Sequence, residues 1–299
     1  MTRGSHRLRH GLLALSLVLA ACGPVGGKAG KAAAPAINAD RLNADIDQRL
    51  GGLGTCIILN DTRSGHELYR YGQPQACLAK LPPCATFDIA NSLIGLDLGV
   101  VSPSTVVKWD GSPQPVTAWQ TDADLPKAFK GAIGWWFQKL AAGVGRDRYQ
   151  AQLRALGYGD RNPGGPLMGF WQGPQAGGAL TVTVEQQARF IRRFYSGDLP
   201  LKPATLAVVQ SLTLDETRPD PKGAPKAGQA VISGRAASCP SVSDGSRNVG
   251  WWVGRVKTAS GGDLTFAASV EGTDAPPGLE IERRLKDIFV GAGLLPAGG

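Results

Sequence analysis

Histidine is scarce in this 299-residue chain: there are three, and His6 and His10 both lie within the first ten residues. Only His66 remains beyond them, so the sequence carries no metal motif, and it shows no nucleotide or flavin motif. No cofactor is expected. The longest N-terminal apolar run, residues 12–21, is too short to span a bilayer as a helix. No internal repeat is visible. Lys and Arg outnumber Asp and Glu by 32 to 24, but they are scattered singly, which gives no case for a nucleic-acid surface. What is present is length and apolar matter for a sizeable core, which excludes disorder and a small disulfide scaffold.

Arg3, Arg7 and Arg9 precede the apolar run, so residues 1–21 read as a secretory signal. The run ends in Leu19-Ala20-Ala21-Cys22, which resembles a bacterial lipobox. That resemblance implies cleavage before Cys22, a lipid on its sulfur and therefore a membrane as partner. Position 23 is Gly rather than the Asp of inner-membrane retention, so an outer-membrane site facing the periplasm is expected. Cleavage there lowers the formal charge from +8 to +5. Residues 22–39, rich in Gly, Ala, Pro and Lys, form a flexible tether, and residues 40–299 form the domain. Export also means oxidising surroundings for Cys56, Cys77, Cys84 and Cys239.

Within the domain, a short helical pattern covers 40–50 and a β-branched run marks a buried strand at 54–59. The turn residues 61–65 lead into a second strand at 66–71. Residues 82–101 form a turn and an amphipathic helix that should be the buried spine. Helices are expected at 125–143 and 146–156, and the Pro and Gly run 162–178 breaks the pattern. Val184, Ala188, Ile191 and Phe194 share one helix face, with Arg189, Arg192 and Arg193 on a solvated one. After the loop 219–228, strands are expected at 230–237, 251–257 and 264–271, and a helix at 279–291. Strands from both chain ends with helices between them predict an α+β fold: an antiparallel sheet of five to six strands, helices on its faces and a helical insertion.

The segment Pro83-Cys84-Ala85-Thr86-Phe87-Asp88-Ile89-Ala90-Asn91-Ser92-Leu93-Ile94 resembles the Pro-x-Ser-Thr-Phe-Lys-Ile-Pro-Asn-Ser-Leu-Ile region of class D (oxacillinase-type) β-lactamases. The likeness continues through residues 107–111, Phe170-Trp171, 180–183 and Gly250-Trp251-Trp252-Val253-Gly254. It implies the serine β-lactamase and penicillin-binding fold. Catalysis in that family needs a Ser at a helix N-terminus and a Lys one turn later as base. Here those positions hold Ala85 and Asp88. The second motif, Ser-x-Val, falls on Ala132-Ile133-Gly134; the third keeps Tyr158-Gly159 but ends in Asp160; the fourth, Lys-Thr-Gly, falls on Arg235-Ala236-Ala237. No Ser-x-x-Lys occurs anywhere. Lys257-Thr258-Ala259 and Cys77-Leu78-Ala79-Lys80 imitate catalytic spacings, the first at a later hairpin and the second before the helix.

Asp88 suits the first helical turn electrostatically, by on the order of half a kcal/mol, and is a worse catalyst than the Lys it replaces. Because the positions of Asp88 and Arg235 face one cleft in the family, the resemblance allows an ion pair between them, the alternative being that each faces solvent in a widened cleft. Trp171 is expected to fill space above Asp88, and Tyr158, Trp135 and Trp136 to be core or cleft-wall aromatics. Cys77 and Cys84 match a Cys pair of some relatives, which implies a disulfide and leaves Cys56 and Cys239 free. Three functions compete. The first, preferred, is a lipid-anchored pseudoenzyme with no catalytic residue, binding a cell-wall or β-lactam-like ligand or an envelope partner. The second is a hydrolase with relocated machinery, Thr86 as hydroxyl and Asp88 as base; the third is a structural lipoprotein with a vestigial cleft.

Overall fold

The computed structural model describes residues 1–2, 37–214, 230–273, 275 and 278–296. The chain divides into two units, Met1–Lys31 and Ala32–Gly299; only Met1 and Thr2 of the first are described, and the fold belongs to the second. The expected signal core, Cys22, most of the tether and the loop 219–228 lie outside the described residues.

Helix α1 (Ala39–Leu50) starts where the Asn38 side chain accepts a hydrogen bond from the Arg41 amide, and it buries Leu42, Ile46 and Leu50. Strand β1 (Gly54–Asp61) is buried almost throughout, as a strand covered on both faces must be. A turn held by the Asp61 carboxylate, which accepts from the Ser64 amide at 2.7 Å, returns the chain as β2 (Glu67–Tyr71). A five-residue helix α2 (Pro74–Leu78) and a 3₁₀ turn at Cys84–Thr86 lead into α3 (Phe87–Asp97), whose residues 87–95 are all buried.

The single helix expected at 125–143 is two: α4 (Leu125–Lys130) and α5 (Gly134–Val144). The break comes at Gly131 and Ala132, where Ala132 takes a left-handed φ of +50°. Helix α6 (Arg146–Leu156) follows, then α7 (Val184–Ser196), opened by a capping box between Thr183 and Gln186. Arg189 is exposed as expected, but its two neighbours are not idle: Arg192 pairs with Asp198 at 2.9 Å and Arg193 donates to the Leu156 carbonyl at 2.7 Å. Helix α8 (Pro203–Leu212) has no counterpart among the elements expected from the sequence. Strands β3 (Val231–Pro240), β4 (Asn248–Lys257) and β5 (Asp263–Gly272) and the helix α9 (Gly278–Gly291) complete the domain.

The five strands form one antiparallel sheet in the order β2-β1-β5-β4-β3. One core packs α3, α5 and α7 against it, with Ile58, Trp251 and Val253 facing them. The other packs α1 and α9 on the opposite face, against Ile57, Trp252 and Phe266. Gly95 allows α3 to press on α5, since a Cβ there would meet the Leu140 side chain at 2.7 Å.

The cysteine pairing differs from expectation. Cys56 is bonded to Cys77 and Cys84 to Cys239, with Cα separations of 5.1 and 5.7 Å, so neither Cys56 nor Cys239 is free. The reason is tertiary: α2 turns Cys77 inward onto β1, and the start of α3 lies on β3. Among the described residues no helix is long and apolar enough to cross a membrane.

Candidate functional site

Three contacts fix the start of α3. The Cys84 amide donates to the Trp171 carbonyl at 3.0 Å, the Trp251 indole donates to the Pro82 carbonyl at 2.9 Å, and the Cys84–Cys239 bond ties the turn to β3. Cys84, immediately before Ala85, holds φ at +51°. Ala132, the second motif position, is likewise left-handed. Such conformations cost a non-glycine residue about 1 kcal/mol or more and persist where the surroundings over-determine them. The left-handed backbone stands one residue before the nucleophile position, Ala85, and at the second motif position itself, Ala132, and neither position carries a hydroxyl.

Into this frame Arg235 projects from β3. Its guanidinium is anchored three ways: Nη2 to the Asp88 carboxylate, Nη1 to the Phe129 carbonyl, and Nε to the Ala85 carbonyl at 3.3 Å. It also lies over the Phe129 ring, 4.5 Å from the centroid. The side chains of Arg235 and Asp88 are only 8% and 4% exposed, so the pair is buried and the space between helix start and strand is filled. Burial pushes the Asp88 carboxyl up to about 6, against the pull of the Arg235 charge. Of the two arrangements left open for Asp88 and Arg235, the pairing is the one present, reinforced by the carbonyls of Ala85 and of Phe129, the latter a residue that the sequence did not single out.

Thr86, the other candidate hydroxyl, is buried and committed: its Oγ1 donates to the Pro83 carbonyl at 2.6 Å and accepts from Gln187 Nε2 at 2.8 Å. That double engagement uses the hydroxyl proton and one of the acceptor positions of Thr86. Gln187, on α7, is a residue that no motif announced. Tyr158 is wholly buried, edge-on to Phe87 and Phe190, and burial raises its phenol. Trp171 packs at a tilt against Phe87, with ring centroids 5.5 Å apart, and edge-on against Phe170. Its ring contacts thus fall on the residue before Asp88. Trp135 and Trp136 are buried in α5, each indole donating to a backbone carbonyl.

Asp160 serves its loop, accepting from the amides of Asn162 and Thr181 and from the Thr181 hydroxyl at 2.9 Å. Of the two catalytic imitations, Cys77 is consumed in a disulfide and Thr258 closes the β4–β5 turn through its bond with the Gly262 amide. No group of His, Cys, Asp and Glu among the described residues could hold a metal ion.

Comparisons with known proteins agree with this geometry. The model of the penicillin binding protein transpeptidase domain matches residues 55–288. The regulatory protein BlaR1 of Bacillus licheniformis is 24% identical over 82% of this chain and 37% of its own length. β-Lactamase OXA-5 of Pseudomonas aeruginosa is 31% identical over 58% of this chain and 61% of its own. The chain thus spans less than two thirds of the length of each of these relatives. Among solved structures, the class D β-lactamase FUS-1 (OXA-85) of Fusobacterium nucleatum subsp. polymorphum superposes with a TM-score of 0.73 at 23% identity, covering 86% of this chain and 99% of that one. By these matches the chain is a member of the penicillin-binding protein transpeptidase family, on its class D β-lactamase-like side.

Proposed function

We propose that this protein is a non-acylating member of its family, a lipid-anchored envelope domain that binds a β-lactam-like or cell-wall ligand without turning it over. One observation carries the reading: the helix start presents Ala85, and the position of the base is an Asp88 already bonded to Arg235. Acyl transfer needs a nucleophile and a base free to take its proton, and neither is present. A relative that bears the name of a regulatory protein supports a binding role over a hydrolytic one. Anchoring through Cys22 and an outer-membrane location facing the periplasm rest on the lipobox-like sequence.

The test is fluorescent penicillin, run on a denaturing gel beside protein boiled before labelling. The expected result is no labelled band from native protein. A band that boiling abolishes would show an acyl-enzyme and overturn the proposal.

A further inference from the structure

Away from the motif positions, a groove of about 220 Å³ lies between the β1–β2 hairpin and α7. Its floor is Ile58 and Asn60, which lie two residues apart and so share one face of β1. Asn60 is only 8% exposed, yet its side-chain amide has no hydrogen-bond partner among the described residues. A buried carboxamide without partners is costly, and one that lines an open groove offers a donor and an acceptor to whatever enters. The charges around it are divided along the groove. At the level of Ile58, which is in register with Arg70, the Arg70 guanidinium is shared by two carboxylates. Glu67 takes Nε at 2.8 Å and Nη2 at 2.7 Å, and Glu185 takes Nη1 at 2.8 Å, which leaves one negative charge in excess. Towards the hairpin turn, Arg192 lies across Gly65, where a Cβ would meet its Cδ at 3.2 Å, and it pairs through Nη2 alone with Asp198 at 2.9 Å. Arg189 is exposed and its side chain has no partner among the described residues, so this end has one positive charge in excess. Glu185 and Arg189 stand one turn apart on α7, in the order that favours an ion pair, but Glu185 is turned to Arg70.

We propose that this groove is a binding site for an α-amino acid group, with its ammonium and carboxylate on one carbon. Arg189 and the Nε and Nη1 of Arg192 receive the carboxylate, the Glu185 end receives the ammonium, and the Asn60 amide in the floor bonds to either. An anion alone would leave the acidic end unanswered, and a cation alone would leave Arg189 so. Ile58 and Ala188 give an apolar surface for a short side chain or for the stem of a longer one. Such a group is carried by free amino acids and equally by a peptide branch joined through its distal nitrogen. None of the lining residues is a motif position, so the site stands apart from the cleft at the start of α3.

The experiment is calorimetric titration of the full chain at neutral pH with alanine, with propionate and ethylamine, which lack its ammonium and its carboxylate in turn, and with Nε-acetyl-lysine. Alanine or Nε-acetyl-lysine should bind saturably in the millimolar range or tighter, and propionate and ethylamine about tenfold more weakly. Arg189→Ala and Asn60→Ala should each weaken the binding by about tenfold. Nε-acetyl-lysine binding as well as alanine supports a peptide-borne group, and alanine binding alone supports a free amino acid. Absence of saturable heat with both overturns the proposal. Propionate as tight as alanine would reduce the groove to an anion site and overturn it too, as would unchanged affinity in both variants. Should Asn60→Ala not fold, Arg189→Ala, a change at an exposed side chain, decides alone. None of these results depends on whether penicillin labels the protein, so the two readings fail separately.

Discussion

On the side of the sheet facing α1 and α9, Ile57, Leu59, Trp252 and Phe266 meet Ile281, Leu285 and Phe289 in a cluster of aliphatic and aromatic side chains. On the side facing α3, a guanidinium and a carboxylate sit in the wall of an otherwise apolar core, less than a tenth exposed. The first face is held by area removed from water, a term that falls gradually as methylenes are removed. The second depends on partners, because a buried charge deprived of its counterpart retains its full desolvation cost. The residues of such a buried pair are therefore the ones with least freedom to change singly.

The largest effect expected from that contrast is at Arg235. Arg235→Ala at pH 8 strands the Asp88 carboxylate and should cost about 3–5 kcal/mol in urea denaturation. A double change, Arg235→Ala with Asp88→Ala, should recover a substantial part of it. Were the single variant as stable as wild type, the pair could not be buried as described.

Next in size is the pH dependence of the same group. The folded-state value for Asp88, about 6, lies above the usual carboxylate value, so the folded state holds the proton longer than the unfolded chain does. Its contribution is favourable at low pH and is lost as pH rises from about 4 to about 6.5. The stability of wild type relative to Asp88→Asn should fall over that window by about 1–3 kcal/mol. Denaturation curves for both proteins at pH 4.5, 5.5 and 6.5 read this directly, and a wild type that gains stability relative to Asp88→Asn as pH rises would reverse the sign assigned here.

The smallest effect sharpens the comparison from the other end. Arg255 and Asp263 also pair across neighbouring strands, with Nε to Oδ1 at 2.7 Å, but their side chains are 18% and 26% exposed. Arg255→Ala should cost about 1 kcal/mol or less by thermal melting. A loss approaching that of Arg235→Ala would mean that exposure does not separate the two pairs.

Much of the architecture could be read from periodicity. The strands at both ends and the helices α1, α6, α7 and α9 stand within a few residues of their expected bounds, because each carries its own apolar pattern. The split between α4 and α5 could not be read, since Ala132 adopts a left-handed turn that nothing local favours. The pairing of Asp88 with Arg235 was legible only through the motif positions, 147 residues apart. Gln187 on Thr86 and the Phe129 carbonyl on Arg235 carried no sequence signal, because one is a side chain on a distant helix and the other a backbone atom.

By itself the sequence determined the order of the strands and of helices α1, α3, α6, α7 and α9, and the absence of Ser and Lys at the start of α3, since composition and spacing are local properties. The tertiary structure decided which cysteines meet, that Thr86 is already committed, and that Arg235 turns inward to close the cleft. Those outcomes depend on how α2, α3 and α7 dock on the sheet, and a side chain's partners follow from packing across the fold rather than from its neighbours in the chain.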